Sequence, residues 1–215
     1  TKKVREAYNT IAFDLLIGQP GQTTETMSKT CDQIIELQPT LVQLSLMAYK
    51  PWVAKHQIKM LTEGPLPDFL ERKELLEVIH KKLKAAGYIR TGFECYSLPD
   101  DPMTKAFREG TAHYGSSGHQ TGGRVNFIAV GNSSKSNLGD DYYAQNFYDL
   151  KSYKKCLDKG EFPTFRGMKL SKDDKIRQHV TQQLRSYFRI DFKQFERNFK
   201  INSREYFGKE IEYLG

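Results

Sequence analysis

The sequence predicts an α/β domain followed by a helical segment, and three observations lead to that class. Short apolar runs closed by Gly or Pro read as buried strands, as in residues 11–17 before Gly18 and Pro20. These runs alternate with amphipathic stretches at helical spacing, the rhythm of βαβ units and a parallel sheet. The last third carries capping residues and apolar positions three and four apart, the pattern of packed helices.

Each element follows from local chemistry. Thr23 caps a helix with Met27, Cys31, Ile34 and Ile35 on one face, and Pro39 stops it. Residues 41–48 form a second strand, and Pro51, Gly64, Pro65 and Pro67 mark a loop. A long helix follows, with Leu75, Leu76, Ile79 and Leu83 in register and Gly87 at its C-terminal cap. Residues 88–96 form a third strand. Residues 115–123, rich in Gly, Ser, Gln and His, read as loop. Residues 127–130 read as another short buried strand, running into the polar turn 131–136.

A short helix covers 149–159, with Gly160 after it. Ser171 and Asp174 make a capping box with Asp in place of Glu, and the helix behind it carries Ile176, Val180, Leu184 and Tyr187. A further helix over 191–200 puts Phe192, Phe195 and Phe199 on one side as core, and Asn202 begins a last one. The change of character near 160–165 sets two domains, 1–162 and 163–215.

Composition bounds the function. The chain has 215 residues, 38% hydrophobic and 12% aromatic, which supports a packed core and excludes a disordered chain. No apolar run is long enough to span a bilayer, and no signal peptide is visible ahead of the first strand, so the expected location is the cytoplasm. The net charge is +7, but Lys and Arg are spread along the chain without an arginine-rich stripe or an aromatic RNA-binding motif. Neither nucleic acid nor membrane is an expected partner. Cys31, Cys95 and Cys156 lie far apart, are odd in number and form no C-x-x-C pair, which makes them structural thiols rather than a disulfide framework or a metal site.

The most informative segment runs from Phe13 through Asp14, Leu15, Leu16, Ile17 and Gly18 to Gln22 and Thr23. It sets one carboxylate in an apolar strand, where a buried charge needs a partner or a ligand. An Asp satisfied by neighbouring backbone amides is an equal reading of the same residues. The glycines are no phosphate loop, because neither G-K-[ST] nor G-x-G-x-x-G is present. His113 and His119 share a polar segment without a Cys or carboxylate at ligand spacing and read as loop histidines. Asp140 and Asp141, beside Gly139, read as turn-forming carboxylates rather than a paired acid and base.

The segment from Asp14 to Thr23 resembles a motif of the oxygen-independent coproporphyrinogen III oxidases and their haem-chaperone relatives in the radical S-adenosylmethionine (SAM) superfamily. Three later stretches resemble the oxidase branch in the same order and at similar spacing. They are Leu98-Pro99-Asp100-Asp101 with Arg108-Glu109-Gly110; Gly139-Asp140-Asp141-Tyr142-Tyr143-Ala144-Gln145-Asn146; and Phe165-Arg166-Gly167-Met168-Lys169-Leu170 running to Asp173-Asp174-Lys175-Ile176-Arg177.

The resemblance covers nearly the whole chain. It implies the second half of a partial (β/α)6 TIM-like radical SAM barrel, followed by the start of an α-helical C-terminal domain. It also implies SAM and a [4Fe–4S] cluster as cofactors of the full-length parent, a tetrapyrrole substrate, coproporphyrinogen III, an electron-donor protein and a monomer. In the family a 5′-deoxyadenosyl radical starts the oxidative decarboxylation of two propionates to vinyl groups.

By resemblance, Asp14, Ala48 and Lys135 contact SAM: Asp14 at a second SAM site, Ala48 through its backbone and Lys135 beside the cluster-bound SAM. The family has an apolar residue at the position of Lys135. It has Phe-Gln-Gly-Tyr where this chain has Ser116-Ser117-Gly118-His119. The C-x-x-x-C-x-x-C loop of the family is absent, and both ends of the sequence read as cut, so this fragment alone is expected to bind no cluster and cleave no SAM. Two alternatives stay open. One is a related radical SAM enzyme that modifies or degrades haem; the other is a non-catalytic haem-binding or interaction module.

Overall fold

The computed structural model describes residues 2–52, 54–115, 118–122, 126–139 and 141–214. Gly123, Ser116, Ser117 and Asp140, all used in the sequence reading, lie outside the described residues. The chain divides into two compact units, Thr1–Ala112 and His113–Gly215. That division by packing lies ahead of the 162/163 boundary read from the sequence.

In the first unit the elements are α1 (Lys2–Ala7), β1 (Ala12–Ile17), α2 (Thr24–Leu37), β2 (Leu41–Leu46), a 3-10 helix (Lys55–Thr62), α3 (Phe69–Ala85), β3 (Ile89–Gly92), β4 (Cys95–Ser97) and α4 (Pro102–Glu109). The sheet order is β1-β2-β4-β3. β1 and β2 are parallel, as a βαβ unit requires.

The rest of the sheet corrects the sequence reading. The expected single strand 88–96 is a hairpin, β3 antiparallel to β4, and β4 is antiparallel to β2, so the sheet is mixed. The turn residues Phe93 and Glu94 carry none of the Asn-Gly or Asp-Gly chemistry that betrays a hairpin. A side-chain bond from Arg90 Nη2 to the Phe93 carbonyl at 3.1 Å closes the turn instead.

Helices α2 and α3 cover one face of this sheet. Their capping residues define where they start: Thr23 with Thr26, and Asp68 with Glu71, form reciprocal capping boxes. Ile17, Cys31, Val42, Leu75, Ile79 and Leu83 are at most 1% exposed between the layers, each aliphatic side chain stabilising the fold by roughly 1.5–3 kcal/mol. Strand alternation sends Ala12, Asp14 and Leu16 of β1, and Leu41, Gln43 and Ser45 of β2, to the opposite face.

In the second unit the elements are β5 (His113–Gly115), β6 (Gly118–Gln120), β7 (Lys135–Leu138), β8 (Tyr142–Asn146), α5 (Leu150–Asp158), β9 (Thr164–Lys169), α6 (Lys172–Tyr187), α7 (Phe192–Phe199), α8 (Ser203–Tyr206) and α9 (Gly208–Leu214). β5 and β6 are an antiparallel pair, and β7-β8-β9 is an antiparallel sheet.

Three sequence expectations change here. The segment read as loop, 115–123, contains the end of β5 and the whole of β6. Residues 127–130 are no buried strand: Phe127 makes one isolated bridge to Asn137, and Ile128 and Val130 are 78% and 87% exposed. The last third includes β9, whose every position is exposed, so no burial alternation marked it. β9 pairs with β8, which ties residues 164–169 to the strands before them and explains why packing does not divide the chain near 162.

The helices agree with their sequence signals. Asp149, Ser171, Asp191 and Asn202 cap α5, α6, α7 and α8, with Ser171 and Asp174 forming the expected box. Phe195 is fully buried, with the rings of Phe199 and Phe207 at 5.1 and 5.7 Å, as the aromatic stripe required.

Candidate functional site

The turn after β1 is rigid for reasons the sequence explains in part. Gly18 has φ +94°, a conformation that L side chains rarely adopt. The Gln22 side chain closes the turn: its Oε1 accepts from Gly18 N at 2.7 Å and Gln19 N at 3.1 Å, and its Nε2 donates to the Leu16 carbonyl at 2.9 Å. Thr23 then starts α2. Gln22 was not singled out in the sequence reading; its place between a strand-closing Gly and a Thr cap is the signal that finds it.

Asp14 lies one turn of the pleat before this loop. The expectation of a buried charge is corrected: Asp14 is exposed, because its side chain leaves the face opposite α2 and α3, beside its register partner Gln43. The carboxylate is therefore exposed, and among the described residues no backbone amide donates to it.

Ala48 lies two residues past β2 and is exposed. Its carbonyl accepts from Gln57 Nε2 at 3.0 Å, while Gln57 Oε1 accepts from Lys50 N at 2.6 Å. The side chain of one glutamine in the 3-10 helix thus holds the backbone at the carboxyl end of β2. In parallel α/β sheets such strand ends are where ligands bind.

Cys31 on α2 and Cys95 on β4 are buried, and desolvation pushes both thiols up to about 11. Thiols that resist ionisation this strongly behave as small hydrophobes. Cys156 is half-buried on α5. Among the described residues no group of three or more His, Cys, Asp or Glu is placed to hold a metal ion.

Lys135 belongs to the second unit and opens β7, exposed, with Gln145 as its register partner. Asn137 turns its N–H and C=O to Phe127 at the sheet edge, and strand alternation turns those of Lys135 the same way. The stretch after Phe127 runs along that edge, where Ala129 N donates to Ser136 Oγ at 3.0 Å. The structure places Asp14 and Ala48 in the first unit and Lys135 in the second.

His113 and His119 are not loop histidines but members of the β5–β6 pair. His119 is 7% exposed with both ring nitrogens unpartnered among the described residues. Burial first, then the charges of Arg185 and His113, push its imidazole down to about 4. Asp141 is exposed and paired with Lys175, whose hydrogen bond holds its carboxyl below the usual range, and its own carbonyl accepts from Leu170 N at 2.7 Å. Those partners fit the structural, turn-forming reading.

No family model matches the chain. Curated relatives do. An oxygen-independent coproporphyrinogen III oxidase of Pseudomonas aeruginosa is 33% identical over 202 residues, covering 94% of this chain and 44% of the relative. Enzymes of the same name from Helicobacter pylori and a Synechocystis species are 32% and 31% identical over 95% and 98% of this chain. These oxidases are its homologues. A solved coproporphyrinogen III oxidase from Escherichia coli, described as a radical SAM enzyme, superposes with a TM-score of 0.85 at 28% identity, over 99% of this chain and 48% of that one. The mixed α/β fold is therefore that of the oxidase, and this chain spans about half the length of the oxidases it matches. No helix among the described residues is long and apolar enough to cross a membrane.

Proposed function

We propose that the chain forms part of a haem-biosynthetic oxidoreductase that converts two propionates of coproporphyrinogen III to vinyl groups, giving protoporphyrinogen IX. The observation that carries this reading is the likeness to oxygen-independent coproporphyrinogen III oxidases along 94% of the chain. In this reading residues 1–162 are the later part of a partial (β/α)6 barrel, and residues 163–215 begin a helical domain. An electron-donor protein, a monomeric state and a cytoplasmic location belong to the same proposal.

SAM, when bound, supplies the one-electron oxidising chemistry. Each unit by itself offers groups that suit it: in the first, the exposed carboxylate of Asp14 and the Ala48 backbone fixed by Gln57; in the second, the exposed Lys135. These groups position the cofactor and do no chemistry themselves.

A [4Fe–4S] cluster does not fit the three cysteines, since such a cluster needs thiolates converging from one loop. Cys31 and Cys95 sit in the apolar packing of α2 and β4, with ionisation suppressed. The 215 residues by themselves are expected to take up no cluster; anaerobic reconstitution with iron and sulfide, read by visible absorbance, checks this.

The activity is tested on the complete gene product, incubated anaerobically with SAM, a reductant and coproporphyrinogen III. Vinyl product together with 5′-deoxyadenosine is the expected result. Cluster-loaded protein that yields neither would sink the reading, and turnover of haem instead would move it to a haem-modifying relative.

A further inference from the structure

The sheet β7-β8-β9 carries a row of side chains that SAM contact uses at one end only. Lys135, Gln145 and Arg166 are register partners on the three neighbouring strands, so their side chains leave one face. Asn137, Tyr143 and Met168 form the next row on that face. Two strand spacings set Lys135 and Arg166 about 10 Å apart across β8. A cleft of about 480 Å³ lies on the face, lined by both cations with Tyr143, Gln145 and Met168. A second cleft, of about 310 Å³, shares Lys135 and Tyr143 and is bordered by Asn137 and by Gln178 of α6.

Three features make this row a built site. Neither Lys135 nor Arg166 has an acidic partner among the described residues. Arg166 is nonetheless fixed: Nε and Nη2 donate to Gln145 Oε1 at 3.1 and 2.8 Å, and Nη2 reaches the Tyr148 hydroxyl at 3.1 Å. Those acceptors are neutral and leave its charge uncompensated. Gln145 is itself 6% exposed and anchored by its Nε2 to the Ser133 carbonyl at 3.0 Å. Asn137 is 8% exposed, and its buried Oδ1 has no partner among the described residues. Buried acceptors normally have one.

We propose that this row is a polycarboxylate-binding face, on which Lys135 and Arg166 each hold one carboxylate of the tetrapyrrole substrate and Asn137 accepts a ligand N–H or O–H. The carboxylate chemistry stands on the row itself; naming the tetrapyrrole rests on the oxidase reading above. SAM is the other source of a carboxylate, but it brings one carboxylate with an ammonium and a sulfonium. Two uncompensated cations on one face favour a polyanion over such a ligand. A backbone contact of Lys135 to SAM leaves its ammonium for this role.

Fluorescence titration of the 215-residue chain with coproporphyrin III and with its neutral tetraamide tests the proposal. The tetracarboxylate is expected to bind at least about tenfold tighter, the scale of a charge-assisted hydrogen bond. Lys135→Met and Arg166→Met should each lose about tenfold for the tetracarboxylate and nothing for the tetraamide, with Lys135→Arg restoring the difference. Arg166 also braces Gln145, so Lys135→Met, whose native side chain shows no hydrogen bond among the described residues, keeps the test valid if the arginine variant misfolds. Equal affinity for the two porphyrins, or an unchanged Lys135→Met, overturns the carboxylate face and leaves the oxidase reading standing. Displacement of coproporphyrin III by SAM from the wild type but not from Lys135→Met overturns the assignment to the tetrapyrrole. Biphenyl-4,4′-dicarboxylate, a rigid rod with a carboxylate at each end, separates the two failures. If it binds through Lys135 where neither porphyrin does, the face is upheld and its assignment to the tetrapyrrole falls; if none of the three binds, the face falls, and the oxidase reading is decided separately by turnover of the complete gene product.

Discussion

The two units bury their side chains in different ways. In Thr1–Ala112, Ile17, Leu44, Ile79 and Leu83 meet between the sheet and two helices. The buried polar groups there are satisfied: Thr91, Ser97 and Thr104 form a hydroxyl chain at 3.1 and 2.7 Å, and Asp101 accepts from Met103 N. In His113–Gly215 the buried apolar side chains among the described residues are Pro163, Leu170, Ile176 and Phe195. They share the interior with His119, Asn137, Gln145, Ser186 and Ser203, and among the described residues both His119 ring nitrogens, Asn137 Oδ1 and Ser186 Oγ have no hydrogen-bond partner. Apolar packing is spread over many residues and is indifferent to pH. Polar packing rests on few groups, and an unmet one is either a cost or a binding site.

The largest effect that would break this comparison is at Phe195. The second unit concentrates its apolar burial in that ring, packed on Phe199 and Phe207. Phe195→Ala is expected to cost about 3–5 kcal/mol, as removal of a buried aromatic does. Urea denaturation measures it, and a loss below about 1 kcal/mol would mean that the unit is held by something other than its visible core.

Next is the pH response of His119. Its imidazole is pushed down to about 4 in the fold, from an ordinary value of 6.5. The folded state therefore keeps it neutral while the unfolded chain takes up a proton as pH falls below 6.5. Stability should be fully present above pH 6.5 and fall progressively toward pH 4, by up to about 3 kcal/mol at 1.36 kcal/mol per unit. Below about pH 4 both states are protonated and the loss levels off. His119→Phe should abolish this slope without lowering stability at pH 7, since it also removes two unpartnered ring nitrogens. Equal slopes for the two proteins in urea titrations between pH 4 and 7 would refute the assignment.

What was legible in the sequence follows the same divide. Helices α2 and α3 could be read because burial on one face writes a clear period, and β1 because it is a short apolar run closed by Gly18; Thr23 and Pro39 punctuate them. The sheet of the second unit could not: β9 is exposed throughout, and β7 opens on an exposed lysine. The β3–β4 hairpin hid because Phe93-Glu94 is no conventional turn signal. For the candidate site, the Asp14-to-Thr23 motif was visible, but the face on which Asp14 lies required the strand register. The Lys135–Gln145–Arg166 row depends on pairing between three separated strands, which no local pattern records.

A third, smaller effect sharpens the picture of the first unit. Gly18 holds φ +94°, and an added Cβ would sit 3.3 Å from Arg72 Nε. Gly18→Ala should cost about 1–2 kcal/mol in backbone strain, the Arg72 side chain giving way by a few tenths of an ångström. Thermal melting gives the loss. A neutral result would mean that the turn tolerates another backbone path and is less firmly locked than the Gln22 hydrogen bonds imply.

The smallest effect tests whether the units differ in their helix caps as they do in their interiors. Thr23 accepts from Thr26 N at 3.2 Å, and Thr26 Oγ1 accepts from Thr23 N at 2.9 Å. In the second unit Ser171 accepts from Asp174 N at 3.1 Å, and Asp174 Oδ2 accepts from Ser171 N at 2.9 Å. The geometry is the same although the surrounding cores are not. A cap satisfies amides at a solvent-exposed helix end and owes little to what lies beneath the helix. Thr23→Ala and Ser171→Ala should therefore lose similar amounts, about 1 kcal/mol each, with Thr23→Ser close to wild type. If Ser171→Ala cost several times more than Thr23→Ala in matched urea titrations, the fragility of the second unit would extend to its helix ends, and its polar interior would not be the source of the contrast.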